Sequence, residues 1–196
     1  MKLLATVLAF LAVAWLIGTL LVFQRRKLFY SPVRQTIGEL AEFGFPPFRE
    51  VSRHGFLPTG LLVIAFCASA ALALDDETLQ QALALYALVG VSYIGCAFFP
   101  VDSGAPMTGS WRNNIHMMFA IAGYLGGIAA LYLLERHLVA GGREAAAAVL
   151  RTLAFAVIAG VVLMNQGWLA RWRGAVQRVV ELALFSAMPL FVLLFL

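Results

Sequence analysis

The sequence alternates long apolar stretches with short polar ones. Six of the apolar stretches reach the roughly 20 residues that a helix needs to cross the hydrocarbon of a bilayer. They cover residues 3–23, 55–74, 79–99, 114–134, 145–168 and 175–196. The pattern predicts an all-α, polytopic membrane protein in which residues 1–196 form a single domain, a compact bundle of six transmembrane helices.

The composition supports a membrane protein and argues against two soluble classes. Hydrophobic residues make up 62% of the chain and charged residues only 12%, against about 25% charged in an ordinary soluble domain. The net charge of +4 is spread over the connections between apolar stretches. A nucleic-acid-binding domain would instead carry a dense basic face, so the expected partner is membrane lipid, with a protein partner in a membrane complex as a further possibility, and not nucleic acid.

The basic residues are divided unequally between the two ends of the predicted bundle. Connections one, three and five lie on one side of the membrane and, with the adjoining helix end, carry ten of the 14 Lys and Arg residues. Because loops rich in Lys and Arg stay in the cytoplasm, we expect these three connections to be cytoplasmic and both termini to be outside, in a multi-pass protein of the cell (inner or plasma) membrane.

The first connection, residues 24–54, is more than a linker. Aromatic and aliphatic residues alternate there with charges, and Val33, Ile37 and Leu40 recur at helical spacing. The spacing predicts a short amphipathic helix in the membrane interface, broken at Pro46-Pro47. This segment either anchors the bundle or covers a space between its helices.

His116 is the most informative polar residue. At 100° per residue it shares one helix face with Ala120, Gly123 and Gly127. Small residues four apart let a second helix approach closely, so we expect His116 to point into the bundle. An ionisable group in that position is costly unless it has a partner, which makes it a candidate functional residue.

Four further polar residues are expected at the same end of the bundle as His116: Glu39, His54, Asp102 and Arg112. Asp102 either closes a turn or acts as a functional carboxylate. His116 is either a packing residue bonded to a carbonyl group or an acid, base or ligand. Together Glu39, His54, Asp102, Arg112 and His116 form the candidate ligand-binding set. The candidate catalytic residues among them are His116, Asp102 and Glu39.

Other polar residues have structural interpretations. Glu39 is expected to pair with Arg34 or Arg112, and Arg178 with Glu181 three residues later on the same helix. Arg151 is expected to reach the membrane surface along its flexible side chain.

The cofactor question stays open at this point. Zinc or iron could take ligands from Glu39, His54, Asp102 and His116, and a haem could take His54 and His116. The sequence contains neither an HExxH nor a CxxC motif, and it lacks phosphate- and dinucleotide-binding fingerprints. No soluble cofactor is therefore indicated.

Several motifs together resemble a known family. They are the run Tyr30–Leu40 (YSPVRQTIGEL), the run Gly55–Gly60 (GFLPTG), the run Phe99–Asp102 (FPVD) and His116 at the next helix entry. In this combination the chain resembles the bacterial and archaeal six-helix membrane proteins of domain-of-unknown-function family 998 over nearly its whole length. The family pattern usually has Ser where this chain has Gly38.

The resemblance implies a six-helix fold and a shared polar site at Glu39, Asp102 and His116, but no activity. Two function classes follow from the residues. The first is a lipid-binding or accessory membrane subunit with a polar site at one end of the bundle. The second is a small intramembrane enzyme that modifies a lipid or isoprenoid with His116 and Asp102. A transporter is less expected, since the helices lack matching Gly or Pro breaks.

Overall fold

The computed structural model describes residues 1–46 and 48–196, and in those residues it contains helices and no strands. Six helices are long and apolar enough to cross a membrane. They are α1 (Lys2–Arg26), α2 (Phe48–Ala71), α3 (Glu77–Phe98), α4 (Trp111–Ala140), α5 (Glu144–Met164) and α6 (Gly167–Phe195). The all-α, six-helix membrane architecture that the sequence predicts is confirmed.

Several helix ends differ from the predicted limits, and three of them show the reasons. Helix α2 begins at residue 48 and not 55, because its first turns carry charged residues that an apolar count leaves out; the turns from Val51 to Phe56 have π-helical geometry. Helix α4 continues to Ala140 and ends where Gly142 takes a positive φ. Helix α5 ends at Met164, and a 3-10 segment, Gly167–Trp172, leads directly into the rest of α6.

Helix α6 contacts each of the other five helices of the bundle. Consecutive helices pack against each other, and α6 in addition closes against α1 and contacts α2, α3 and α4. Phe191 of α6 packs edge-on against Phe66 of α2, with ring centroids 5.9 Å apart. Tyr86 of α3 donates a hydrogen bond to the carbonyl oxygen of Leu184, at 2.6 Å. A polar residue on the inner side of α6 therefore lies at the centre of the protein.

Glycines allow the helices around this centre to approach closely. A Cβ on Gly123 of α4 would lie 2.5 Å from the Cβ of Ser92 on α3, and a Cβ on Gly127 would lie 2.5 Å from Cδ2 of Leu184. Real Cβ atoms do not come this near to their neighbours, so a larger side chain at either position would push the helices apart. The third small residue of this face, Ala120, lines a cavity.

The connection between α1 and α2, which we call loop 1, folds onto one end of the bundle. In place of the short helix expected through Val33 and Leu40, the chain forms turns followed by a single 3-10 segment, Gly38–Ala41, whose four residues are all buried. Of the expected break at Pro46-Pro47, Pro46 lies in a turn and residue 47 lies outside the described residues.

Loop 1 is fixed to the first turns of α6. The amide of Ala175 donates to the carbonyl oxygen of Val33 at 3.0 Å. The Arg178 guanidinium donates to the carbonyl oxygen of Pro32 at 2.6 Å and to the hydroxyl of Tyr30 at 2.8 Å. Loop 1 therefore caps the end of the bundle at which the α1–α2, α3–α4 and α5–α6 connections meet, which we call the polar end.

Candidate functional site

His116 lies in the second turn of α4 at the polar end, and only 6% of its surface is exposed. Its Nδ1 atom lies 2.7 Å from the carbonyl oxygen of Phe99. A carbonyl oxygen can only accept a hydrogen bond, so Nδ1 carries the proton. In the neutral imidazole this leaves Nε2 as an acceptor, and no group in the described residues donates to it.

Gly38 of loop 1 lies directly against the free edge of this imidazole. A Cβ built on Gly38 would lie 3.1 Å from Nε2 of His116 and 3.5 Å from Cε1. Because glycine has no Cβ, the space beside Nε2 stays open. Gly38 thus borders the acceptor atom of His116.

Two adjoining cavities meet at His116. The inner cavity, of about 50 Å³, reaches Glu181 and Tyr93 in the middle of the bundle. The outer cavity, of about 270 Å³, lies between α4, α5 and α6 at the polar end. Five residues line both cavities: Gly38, His116, Ala120, Tyr124 and Gln177. The Nε2 edge of His116 therefore borders a space that is large enough for part of a small molecule.

A buried carboxyl group terminates the inner cavity. Glu181 of α6 is 6% exposed and accepts hydrogen bonds from the hydroxyls of Tyr93, at 2.8 Å, and Tyr124, at 2.9 Å. Gln177 donates to the Tyr124 hydroxyl at 3.1 Å and accepts from the amide of Ile37 at 2.6 Å. This continuous set of hydrogen bonds joins the backbone of loop 1 to the centre of the bundle.

Arg178 does not pair with Glu181, as the spacing on α6 had suggested. Its guanidinium turns outward to the carbonyl oxygens and the tyrosine of loop 1. Two tyrosines of neighbouring helices take its place, since Glu181 faces the bundle interior. Arg151 likewise has a partner that the sequence did not indicate, because it pairs with Glu135 across the α4–α5 interface.

Glu39 is buried beside the outer cavity, with 3% of its surface exposed. Its Oε2 atom accepts from the amide of Thr36 at 2.6 Å, from the Thr36 hydroxyl at 2.9 Å and from the guanidinium of Arg173 at 2.8 Å. The predicted pairing with Arg34 or Arg112 is replaced by this one, because the buried 3-10 segment turns Glu39 toward α6. Glu39 fixes loop 1 over the cavity.

Asp102 organises the connection between α3 and α4. Its carboxylate accepts from the amide of Ser110 at 2.6 Å and from the Ser110 hydroxyl at 2.7 Å. Ser110 is the N-cap of α4, and its own hydroxyl accepts from the amide of Asn113. The backbone and side-chain hydrogen bonds from Ser110 lower the pKa of Asp102. Asp102 lines neither cavity and does not orient the His116 ring, which the Phe99 carbonyl holds.

Arg112 and His54 have other surroundings. The Arg112 guanidinium lies 3.9 Å from the centre of the Phe43 ring, a cation–π contact that joins loop 1 to α4. His54 is exposed next to α1, and its carbonyl oxygen accepts from the indole of Trp15 at 2.9 Å. Neither side chain lines the cavities that meet at His116.

The arrangement has a bearing on metal binding. In residues 1–46 and 48–196, no three His, Cys, Asp or Glu side chains are grouped so that they could hold a metal ion together. Of the four predicted ligands, Glu39 is paired with Arg173, Asp102 with Ser110 and His116 with the carbonyl of Phe99, while His54 is exposed. The chemistry that the site does offer is hydrogen bonding, through the acceptor atom of His116 and the polar groups around it.

Sequence reasoning assigned no site role to several residues that line the inner cavity, among them Tyr93, Tyr124, Gln177 and Glu181, the last of which it treated as a partner of Arg178. A signal for two of them was present. Gln177, Glu181, Leu184 and Met188 are spaced i, i+4, i+7 and i+11 and so share one face of α6. Two polar residues on the face that also carries the buried apolar residues indicate an inward-facing polar site. The two tyrosines carried no such signal, because their hydroxyls find Glu181 only in the folded bundle.

Comparison with known proteins gives one match. A family model described as "Protein of unknown function (DUF998)" matches residues 4–194 of the 196-residue chain. No curated protein and no solved structure matches.

Proposed function

The chain belongs to the family of proteins of unknown function DUF998, and we propose that it binds a membrane lipid in the outer cavity at the polar end of the bundle. The observation that carries the proposal is the division of this cavity into an apolar side and a polar side. A lipid needs both in one place, since its tails and its headgroup differ in the same way.

The apolar side lies between α4 and α5. Met117, Val161 and Met164 line it and are half-buried, and Ile121 is 48% exposed. These side chains belong to membrane-spanning segments, so the cavity meets the hydrocarbon there. An acyl or prenyl chain can enter between the two helices without leaving an apolar environment.

The polar side lies under loop 1. His116, Gln177 and Thr36 line it, and Arg173 lies at its rim. His116 is five residues from the start of α4, which places it about 8 Å along the helix at 1.5 Å per residue. His116 thus lies near one end of this membrane-spanning helix. The polar groups therefore lie where a bound lipid would present its own.

The alternative of a lipid-modifying enzyme that uses His116 with Asp102 gains no support from this geometry. That mechanism needs Asp102 to orient the imidazole or to bind a metal beside it. The carboxylate is instead occupied by Ser110, and a backbone carbonyl orients the ring. The contacts of Asp102 are those of a structural residue, and the contact of His116 with Phe99 leaves Nε2 as an acceptor for a bound lipid.

The proposal can be tested with lipids that carry a photoactivatable group on the tail. The protein in bilayers of native lipid composition is irradiated, and labelled peptides are identified by mass spectrometry. We expect labels on α4 and α5 around Met117, Ile121 and Val161. Ala120→Phe, which fills the cavities, should remove them, whereas Ala122→Phe, on the exposed side of the same helix, should not. Labels spread evenly over exposed residues in all three proteins would overturn the proposal.

We further propose that the polar end faces the cytoplasm, on the strength of the excess of Lys and Arg in its three connections. Single cysteines placed in loop 1 and in the α4–α5 connection can be labelled from either side of sealed vesicles.

Native mass spectrometry of the gently extracted protein would reveal a stoichiometric protein partner, which is the result expected of an accessory subunit.

A further inference from the structure

We infer that the lipid bound in the outer cavity is a neutral lipid alcohol, whose headgroup hydroxyl donates a hydrogen bond to Nε2 of His116. The inference rests on the proposed function and specifies its ligand. It follows from which polar groups of the cavity wall are already used and which are left for a ligand.

The wall has an acceptor to offer at its most buried polar point. Nδ1 of His116 donates to the Phe99 carbonyl oxygen, so Nε2 of the neutral ring can only accept a hydrogen bond from its partner. The residue as a whole is only 6% exposed, and Nε2 is not among the fully enclosed unpaired atoms of the described residues, so it is accessible from the cavity that His116 lines. A ligand hydroxyl supplies the missing donor.

Among the described residues, the hydroxyls that line the outer cavity, those of Thr36 and Tyr124, already donate elsewhere. The hydroxyls of Tyr93 and Tyr124 donate to Glu181, and the hydroxyl of Thr36 donates to Glu39. A ligand that brought only acceptors would therefore find few hydrogen-bond donors next to His116.

Two side-chain amides at the rim of the outer cavity also have their donors engaged. The side-chain NH2 groups of Asn165 and Gln166 donate back to the carbonyl oxygens of Val161 and Val162 in their own helix. Their amide oxygens are not used by the described residues, and both residues line the outer cavity. Like Nε2 of His116, these oxygens accept hydrogen bonds, so they also favour a ligand that brings donors.

The charges of the wall disfavour a phosphate headgroup. Among the described residues that line the two cavities, Arg173 is the one Lys or Arg. Its guanidinium is paired with Glu39 and donates to the carbonyl oxygen of Gly104 at 2.8 Å. A phosphate would bring negative charge beside the Arg173–Glu39 pair with no further Lys or Arg among the described lining residues to balance it, which is costly in a buried site.

The space beside Nε2 suits a small group. The gap between Gly38 and that edge of the ring is narrow, since a Cβ on Gly38 would already lie 3.1 Å from Nε2. A single hydroxyl needs only about 2.7–2.9 Å between its oxygen and the nitrogen. The headgroup that fits is thus compact as well as uncharged, as in a diacylglycerol or a polyprenol.

The test compares lipids that differ in the headgroup. Diacylglycerol and phosphatidic acid with identical photoactivatable acyl chains, and a photoactivatable polyprenol, are presented at equal mole fraction in phosphatidylcholine bilayers. We expect labelling of the α4 and α5 residues of the outer cavity by at least one of the two alcohols, about tenfold above labelling by phosphatidic acid. The preference between the alcohols then identifies the source of the hydroxyl.

Two variants tie the preference to His116. His116→Phe keeps an aromatic ring and removes the acceptor, and Gly38→Ala keeps His116 bonded to Phe99 while it fills the gap. Either change should bring labelling by the alcohol down to the level of phosphatidic acid, and His137→Ala at the opposite end of α4 should have no effect. Equal or stronger labelling by phosphatidic acid would overturn the lipid-alcohol inference and leave lipid binding intact. Absence of cavity labelling by all three lipids would overturn the proposed function itself.

Discussion

Nδ1 of His116 donates to the carbonyl oxygen of Phe99 at 2.7 Å, which joins the start of α4 to the end of α3. This one bond decides which nitrogen of the ring is free. It also explains why an imidazole can lie in an otherwise apolar bundle, because half of its hydrogen-bonding capacity is satisfied by backbone and the other half faces a cavity. The predictions below follow from that arrangement and from the contacts that support it.

The gap at Gly38 predicts different outcomes for two small substitutions. Gly38→Ser adds a hydroxyl that can donate to Nε2 of His116, whereas Gly38→Ala adds only a Cβ at about the same place, close to the ring. In lipid-free detergent, the serine variant should therefore exceed the alanine variant in unfolding free energy by about 1 kcal/mol, the usual value of a hydrogen bond. Thermal unfolding of both proteins measures the difference. Equal melting temperatures would mean that Nε2 is not a free acceptor.

The two tyrosines around Glu181 are expected to stabilise the bundle jointly. Tyr93→Phe and Tyr124→Phe each remove one donor from a buried carboxyl group, and each should cost about 1–3 kcal/mol of unfolding free energy. Because both act on the same group, the double variant should depart from the sum of the single changes. Unfolding in denaturant measures the cycle. Tyr132→Phe, at an exposed position of α4, serves as the control, and single-variant losses no larger than its loss would contradict the role of Glu181.

The docking of loop 1 depends on Gly174. A Cβ at this position would clash with the backbone oxygens of Gln35 and Pro32. Gly174→Ala should therefore lower the unfolding free energy by about 1–3 kcal/mol and speed proteolysis within loop 1. Gly18→Ala is the matched control, because a Cβ on Gly18 of α1 meets nothing within 4 Å. Unchanged proteolysis of the Gly174 variant would show that loop 1 does not rest on α6.

The stability of the polar end is expected to depend on pH through Asp102. The hydrogen bonds from Ser110 lower its pKa in the folded protein, so its contribution to stability is present above the ordinary aspartate pKa of about 3.9 and is lost as the pH falls below it. The melting temperature should therefore drop in acid, and less so in Asp102→Asn. Asp75→Asn, in the α2–α3 connection, should keep the wild-type profile. Superimposable profiles for Asp102→Asn and the wild type would exclude this contribution.

The sequence was sufficient for the architecture and for part of the site. The length of the apolar stretches predicts the six membrane-spanning helices, and helical spacing predicts that His116 points into the bundle. Both predictions depend only on local properties of the chain. Glu39 was also recognised as a member of the polar end, although its partner, Arg173, lies 134 positions further along the chain. No local pattern reports such a distant pairing.

The parts of the site that escaped prediction are those that tertiary packing creates. Tyr93 and Tyr124 resemble any other aromatic residue of a membrane helix until α6 brings Glu181 between them. For Asp102 the sequence allows both a turn-closing role and a functional one, and the hydrogen bonds of its carboxylate with the neighbouring Ser110 favour the structural role. The role of Gly38 is visible only in the folded protein, where this residue borders Nε2 of His116.

The central claim is that Nε2 of His116 is an unprotonated acceptor facing the cavity, and nitrogen-15 NMR of histidine-labelled protein in bilayers tests it most directly. His54→Gln and His137→Gln isolate the signal of His116. The account predicts a neutral ring with its proton on Nδ1, and a shift of the Nε2 resonance when a lipid alcohol is added but not when phosphatidic acid is added. A ring with its proton on Nε2, or an Nε2 resonance that ignores both lipids, would contradict it.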